Sequence, residues 1–422
     1  MSETARPAVV AELLALADQC VMCGLCLPHC PTYRLTRHEA ESPRGRIAIA
    51  RSLASGKLVP TPLALEHLDR CLACLSCEPV CPSQVQYGAI IVRSRADLAR
   101  SRPSSGVLRR LLDKPAVLVA LGRIAVTLRA HRWLPGVARL LPRHSLLRRI
   151  ATTLPVPPTL SRRSVPAAAA APRGRVALFR GCVASVYDRD THQAARRLLE
   201  ALGHEVAIPD GTPCCGALAL HAGDSAAFAR QGARTARAVA ATGASAVLVS
   251  ASGCFGSLRA ALTGSGGVDV VDIHEFLARD SALDVLRFRP LAATAALHLP
   301  CTQSNVAGGG AAIAALLARI PGLTVLALPE QPKCCGAAGS YFLRYADSAD
   351  RLRGEKLDQA RALRPDLLLT SNIGCRIHLA NGLRGRSPPL PVLHPLALLA
   401  QQLEDGGMAK SQVDRLAQPR PS

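Results

Sequence analysis

Two stretches, "CVMCGLCLPHCP" (Cys20 to Pro31) and "CLACLSCEPVCP" (Cys71 to Pro82), each set four cysteines within eleven residues and close on a proline. Cys20, Cys23, Cys26 and Cys30 recur 51 residues on as Cys71, Cys74, Cys77 and Cys81. Sulfurs so closely spaced must converge on something. In the pattern Cys-x2-Cys-x2-Cys-x3-Cys-Pro, three thiolates of an array hold one iron-sulfur cube and the fourth crosses to the other. The spacing thus assigns Cys20, Cys23, Cys26 and Cys81 to one [4Fe-4S] cluster, and Cys71, Cys74, Cys77 and Cys30 to a second. Zinc is the rival, but it usually takes two cysteines from each of two knuckles and has no use for four in a tandem array. The N-terminal "MSETARPAVVAELLALADQ" lacks a secretory pattern, so a reducing compartment is expected, in which such arrays bind metal and do not cross-link.

The second half reads as one unit written twice. "RVALFRGC" ends a short apolar strand at Cys182, and "AALHLPC" does the same at Cys301. Each is followed by a helix, a strand, a "CCG" (Cys214, Cys215, Gly216; Cys334, Cys335, Gly336), a further helix, and a strand running to Cys254 or Cys375. Between the first cysteine and the pair lie 31 and 32 residues, then 38 and 39 before the last. Internal duplication with strands alternating with helices predicts parallel α/β layers, with the cysteines on loops at the carboxyl ends of strands. A thiolate pair with two distant partners suggests metal, so Cys182, Cys214, Cys215 and Cys254 form one candidate site, and Cys301, Cys334, Cys335 and Cys375 another. The alternative is a set of buried structural thiols. His298 and His378, three residues from Cys301 and Cys375, are candidate outer-shell donors or substitute ligands, or else ordinary buried histidines. The glycine after each pair permits positive φ or close backbone approach.

The formal charge of +21 is concentrated. Between Arg93 and Arg175 there are 18 Lys or Arg against Asp97 and Asp113, a net of +16. With 3% aromatic residues and no helix-turn-helix pattern, nucleic acid is not the expected partner. A local basic face suits an acidic subunit or an anionic membrane surface, or is simply solvated. The expected organisation is a cluster-binding segment over 1–98, basic amphipathic helices over 99–150 cut by Pro115, Pro135 and Pro142, and a Pro/Ala/Arg linker over 151–174. Two CCG units then span 175–290 and 291–403, followed by a disordered tail over 404–422. The longest uncharged run of the basic stretch falls far short of the ~20 residues that a membrane span needs. No dinucleotide fingerprint or P-loop is present, and "AGGGAA" (Ala307 to Ala312) is a weak substitute. Neither FAD nor NAD is therefore expected on this chain.

With "SPRGRI" (Ser42 to Ile47), "HLDRCLACLSCEPVCPS", "CCGAAGSY" and "NIGCRIHLA" in their order, the chain resembles iron-sulfur subunits of glycolate oxidase (glycolate dehydrogenase) over nearly its whole length. The resemblance implies an α+β, α/β multidomain protein: an α-helical, bacterial-ferredoxin-like 2[4Fe-4S] domain, then a duplicated heterodisulfide-reductase-like α/β domain. It also implies separate FAD subunits that oxidise a 2-hydroxy acid, while this chain, cytoplasmic and peripheral at the inner face of the membrane, relays electrons toward a quinone-type acceptor. The corresponding subunit of a D-lactate or glycerol-3-phosphate dehydrogenase shares most of these motifs. A disulfide reductase of the CCG type is the reading from another class. In heterodisulfide reductase a fifth cysteine completes each CCG unit; here those positions are Ser257 and His378, so disulfide reduction is not implied.

Overall fold

The computed structural model describes residues 6–101, 114–142, 145–157, 173–211, 213–263, 268–329 and 334–404. Expectations for 102–113, for 158–172 of the linker and for the tail from 405 fall outside the described residues.

The first segment is helical, with no strand among the described residues of 6–101. Its helices start where the chain supplies a cap and a proline. Ser42 Oγ accepts from Gly45 N at 2.9 Å with Pro43 opening Pro43–Ala54, and Thr61 Oγ1 accepts from Ala64 N at 3.2 Å with Pro62 opening Pro62–Asp69. Helices Arg6–Asp18, Pro43–Ala54 and Tyr87–Asp97 pack together around Leu13, Ile47, Leu68, Ile90 and Ile91. Each such buried side chain is worth about 1.5–3 kcal/mol, and together they fix the frame from which both cysteine arrays hang.

The duplication is realised as two parallel sheets of the same order. β1 (Arg175–Phe179), β2 (Glu205–Ala207), β3 (Ala246–Val249) and β4 (Asp269–Asp272) run β2-β1-β3-β4. β5 (Ala293–His298), β6 (Leu323–Ala327), β7 (Leu367–Thr370) and β8 (Val392–Leu393) run β6-β5-β7-β8. All pairs are parallel, with Ala177 opposite Val247 and Ala295 opposite Leu367. The chain order reverses between the two central strands, which opens a crevice at their carboxyl ends. β4 and β8 add a fourth strand to each sheet beyond the three that the sequence pattern suggests. One core cluster runs through both units, including Leu178, Leu198, Leu297, Ile313 and Leu399, and the other face of each sheet has a core of its own.

The units also cross-pack. Helix Ile273–Arg279 lies on Gly310–Leu317, and Pro395–Gln402 lies on Arg189–Ala201. The rings of His274 and His394, which open the same closing helix in each unit, stack at 5.3 Å. Arg376 ties the units by donating to Asp188 Oδ1 and Asp190 Oδ2 at 2.5 and 2.6 Å.

Two local expectations are corrected. Cys254 and Cys375 do not end on loops: they sit in the first turns of helices Ser252–Leu262 and Ile373–Leu383, directly after β3 and β7. In the basic stretch, Pro135 lies inside Ala130–Val137 and does not cut the helix as expected; a break falls instead at Arg129, with φ of 49°, while Pro115 opens helix Pro115–Thr127 and the residues just before Lys114 lie outside the described ones. Pro at the first helical position has no N–H to lose, which is why Pro115 begins a helix.

Candidate metal centres

The 51-residue repeat is a repeat of backbone as well as of cysteines. Met22 and Ala73 have φ of 57° and 49°, and Gly24 and Leu75 have 85° and 57°. Leu27 N donates to Gly24 O and Cys30 N to Leu27 O, and the same two turns recur as Glu78 N to Leu75 O and Cys81 N to Glu78 O. Non-glycine residues held in the left-handed region signal a constrained loop, here one that curls three cysteines round a common centre. Pro31 then opens helix Pro31–Thr36.

Two cavities separate the eight cysteines. Cys20, Cys23, Cys26 and Cys81 line one, and Cys30, Cys71, Cys74 and Cys77 line the other, with Cys77 bordering both. The fourth cysteine of each array therefore crosses to its neighbour's cavity. The first cavity is at the surface: Cys23 is exposed and is flanked by Val21, Met22 and Leu25, which are 67%, 46% and 57% exposed. The second is deeper, and burial pushes the thiols of Cys74 and Cys77 up. Thiols buried in this way ionise only where a cation offsets the desolvation, which is the role a bound metal would fill. Arg46, within the "SPRGRI" stretch, lies 3.9 Å from Cys30 Sγ and donates to Thr32 Oγ1 at 2.9 Å and His67 O at 2.7 Å; its guanidinium also pairs with the buried Glu41. Tyr87 donates its hydroxyl to Cys71 Sγ at 3.4 Å.

The CCG cysteines also converge. Cys182 and Cys214 sulfurs are 3.9 Å apart, and hydrogen-bond interactions continue to Cys215 and Cys254. In the second unit Cys301, Cys334, Cys335 and Cys375 are linked the same way, with Cys335 and Cys375 sulfurs 3.1 Å apart, outside the ~2.0 Å of a disulfide. Gly216 and Gly336 have φ of 76° and 89°, and each turns its N–H onto the sulfur two residues back at 3.4 Å. A Cβ on Gly216 would stand 2.6 Å from the Phe228 ring. All four cysteines of the second set are buried, whereas Cys182 and Cys254 are partly open.

The second CCG set abuts the second array. Cys74, Cys301 and Cys334 pack in one apolar cluster with Leu72 and Tyr341, and Asn305 donates to Cys74 O at 2.7 Å. This juxtaposition could not be read from spacing, since it joins residues far apart in the chain. Of the two histidines, His298 is brought to Cys335 and Cys375, with one ligand atom of each mutually within 4.8 Å. His378 instead pairs Nε2 with Ala349 O at 3.1 Å. Ser257 is buried.

Burial lowers the His192, His298 and His378 pKa values to about 4, about 3 and about 4, so all three rings are neutral in the fold. Their unfolded counterparts bind protons from near pH 6.5 downward, so the unfolded state gains protons that the folded state refuses. Stability is fully present above pH 6.5 and falls as pH drops toward 4. The guanidinium midpoint of the anaerobic protein should therefore be lower at pH 5.5 than at pH 7.5, and His192→Phe should flatten that dependence.

Residues 16–85 match a 4Fe-4S dicluster domain, and residues 176–259 and 295–380 each match a cysteine-rich domain. The glycolate oxidase iron-sulfur subunit of Escherichia coli (strain K12) is 31% identical over 429 residues, covering 95% of this chain and 98% of that one. The chain belongs to the glycolate oxidase iron-sulfur subunit family. A probable glycolate oxidase iron-sulfur subunit of Bacillus subtilis (strain 168) is 28% identical over 421 residues, covering 90% of this chain and 93% of its own. Outside that family, lactate utilization protein A of Bacillus licheniformis is 24% identical over 52% of this chain and 96% of its own length. A Helicobacter pylori protein of known structure, 14% identical over 74% of this chain and 72% of that chain, has a TM-score of 0.37, too low to carry an argument about this family member.

Proposed function

We propose that this chain is the electron-transfer subunit of a glycolate dehydrogenase complex, carrying two [4Fe-4S] clusters on Cys20, Cys23, Cys26 and Cys81 and on Cys71, Cys74, Cys77 and Cys30. The observation that carries the reading is continuity from surface to interior. An exposed apolar rim surrounds Cys23, the two cavities share Cys77 as a wall, and Cys74 packs against Cys301 and Cys334. Glycolate loses two electrons and two protons to become glyoxylate on a partner FAD subunit. Clusters held by these eight cysteines would supply one-electron carriers between the exposed rim at Cys23 and the second CCG site, in the direction of a quinone-type acceptor. Substrate oxidation is the partner's chemistry, so this chain needs no catalytic base. The division at 98, 150, 174, 290 and 403 is proposed as the organisation behind that path.

Anaerobic purification with iron and sulfide counts and EPR tests the reading. About eight irons and two interacting cubane signals are expected, and markedly more iron would add CCG centres. Zinc in place of iron would end the proposal. Co-purification of two FAD subunits would support glycolate as substrate over D-lactate or glycerol 3-phosphate.

The basic helices are proposed as a peripheral membrane contact. No helix among the described residues is long and apolar enough to cross a bilayer. Leu121, Ile124, Leu128 and Trp133 are each about half exposed, beside Arg123, Arg129 and Arg132. Apolar side chains flanked by arginine suit insertion at an anionic interface. Replacing Leu121, Ile124 and Leu128 with Ser should abolish flotation with phosphatidylglycerol vesicles while the FAD partners stay bound; loss of the partners with flotation intact would assign the face to protein.

A further inference from the structure

The two four-cysteine sites come from one duplicated unit, yet the rung of sheet beside them differs. The central strands pair Phe179 with Val249 in the first unit and His298 with Thr370 in the second. All four residues are buried, so an apolar pair in one unit is matched by an imidazole and a hydroxyl in the other. A buried polar pair costs free energy unless each group is satisfied. Thr370 Oγ1 meets His298 Nδ1 at 3.0 Å, but His298 Nε2 has no hydrogen-bond partner. A ring nitrogen of His298 lies with the Cys335 and Cys375 sulfurs in a group whose ligand atoms are all within 4.8 Å of one another. One ring nitrogen steadied by a hydrogen bond while the other is left for a metal is how ligating histidines are oriented. His378 also keeps one unpaired nitrogen, but it stands outside this group.

We propose that His298 is a nitrogen ligand at the second four-cysteine site, joining Cys335 and Cys375 on the metal while Cys301 and Cys334 hold its other side. The first site has Phe179 in the matching place, and among the described residues no histidine groups with its cysteines, so it takes thiolates alone. The inference rests on the reading of this chain as an iron-sulfur electron carrier and deepens it. A neutral imidazole adds a ligand without adding negative charge, so the centre sits at a higher potential than it would with a fifth thiolate in that place. With Cys74 packed against Cys301 and Cys334, that makes the second site the receiver of electrons from the second array.

The test uses the full chain with its iron in place, grown on natural-abundance or 15N-labelled histidine, reduced, and examined by pulsed EPR alongside iron counting. A strong histidine-nitrogen coupling that changes with the label is expected, absent from His298→Ala and His298→Cys and intact in His378→Ala. His298→Cys should keep the iron and lower the potential of the site. A wild-type protein with iron beyond about eight and no strong histidine coupling, or a coupling that survives His298→Ala, overturns the assignment. Iron stopping at about eight overturns it as well while leaving the electron-carrier reading standing; absence of the eight themselves would sink that reading instead. Because the label acts on the wild-type chain, failure of a variant to fold does not spare the proposal.

Discussion

Cys30→Ser should strip the cluster of Cys71, Cys74 and Cys77 while sparing that of Cys20, Cys23 and Cys26. Cys30 belongs by sequence to the first array, but it faces the second cavity, next to Thr32 Oγ1 at 3.3 Å and Arg46 Nη1 at 3.9 Å. A serine hydroxyl keeps both polar contacts, so a purely structural thiol predicts a mild change. A ligand predicts loss of about half of the array iron, and an affinity loss exceeding the 10- to 100-fold that about one outer-shell partner costs. Electron delivery from the flavin partner to an artificial acceptor should fall with it, because the interior cluster is the only bridge proposed between Cys23 and Cys301. Iron counting and EPR of Cys30→Ser and Cys81→Ser decide the matter. Their effects should fall on opposite clusters, and if Cys30→Ser erased the signal of the Cys20 array first, the crossed assignment would be wrong.

What could be read in the sequence was what is local. Four cysteines in eleven residues force a curled loop whatever surrounds them, so the arrays and the duplicated α/β units were legible from spacing and period. Contacts between distant segments left no such trace. Nothing in "CLACLSC" announces that Cys74 lies against Cys301, because that contact depends on how the helical segment docks on the second sheet. The positions of Cys254 and Cys375 were misjudged because "SASGC" and "SNIGC" carry turn-forming residues. In the fold those residues lead into helices whose first turns present the thiols. His298 was visible as a candidate, whereas its separation from His378 required the cross-strand partner Thr370.

Arg46 shows how a recognisable word can hide its physics, and replacing it should produce the largest loss of stability. "SPRGRI" was legible only as a family word, yet its second arginine is 1% exposed and sits between Glu41 and the sulfur of Cys30. Burial works against its charge, but the paired Glu41 carboxylate offsets that and the guanidinium stays ionised. Arg46→Met would leave the Glu41 carboxylate, 3% exposed, with only His67 Nδ1 at 2.7 Å. Stranding one partner of a buried ion pair costs about 3–5 kcal/mol. It also removes a positive charge beside Cys30 and Cys71, which stabilises the more negative, reduced cluster, so the potential of the second array should fall. Arg46→Lys should keep most of the potential and lose stability, since an ammonium cannot reach Thr32, His67 and Glu41 together. Adding Glu41→Gln to Arg46→Met should restore stability without restoring the potential, because it removes the stranded carboxylate but supplies no cation. Anaerobic denaturation and potentiometric EPR on the three variants separate the two effects. If potential and stability instead rise and fall together, Arg46 acts through packing alone and the electrostatic assignment is wrong.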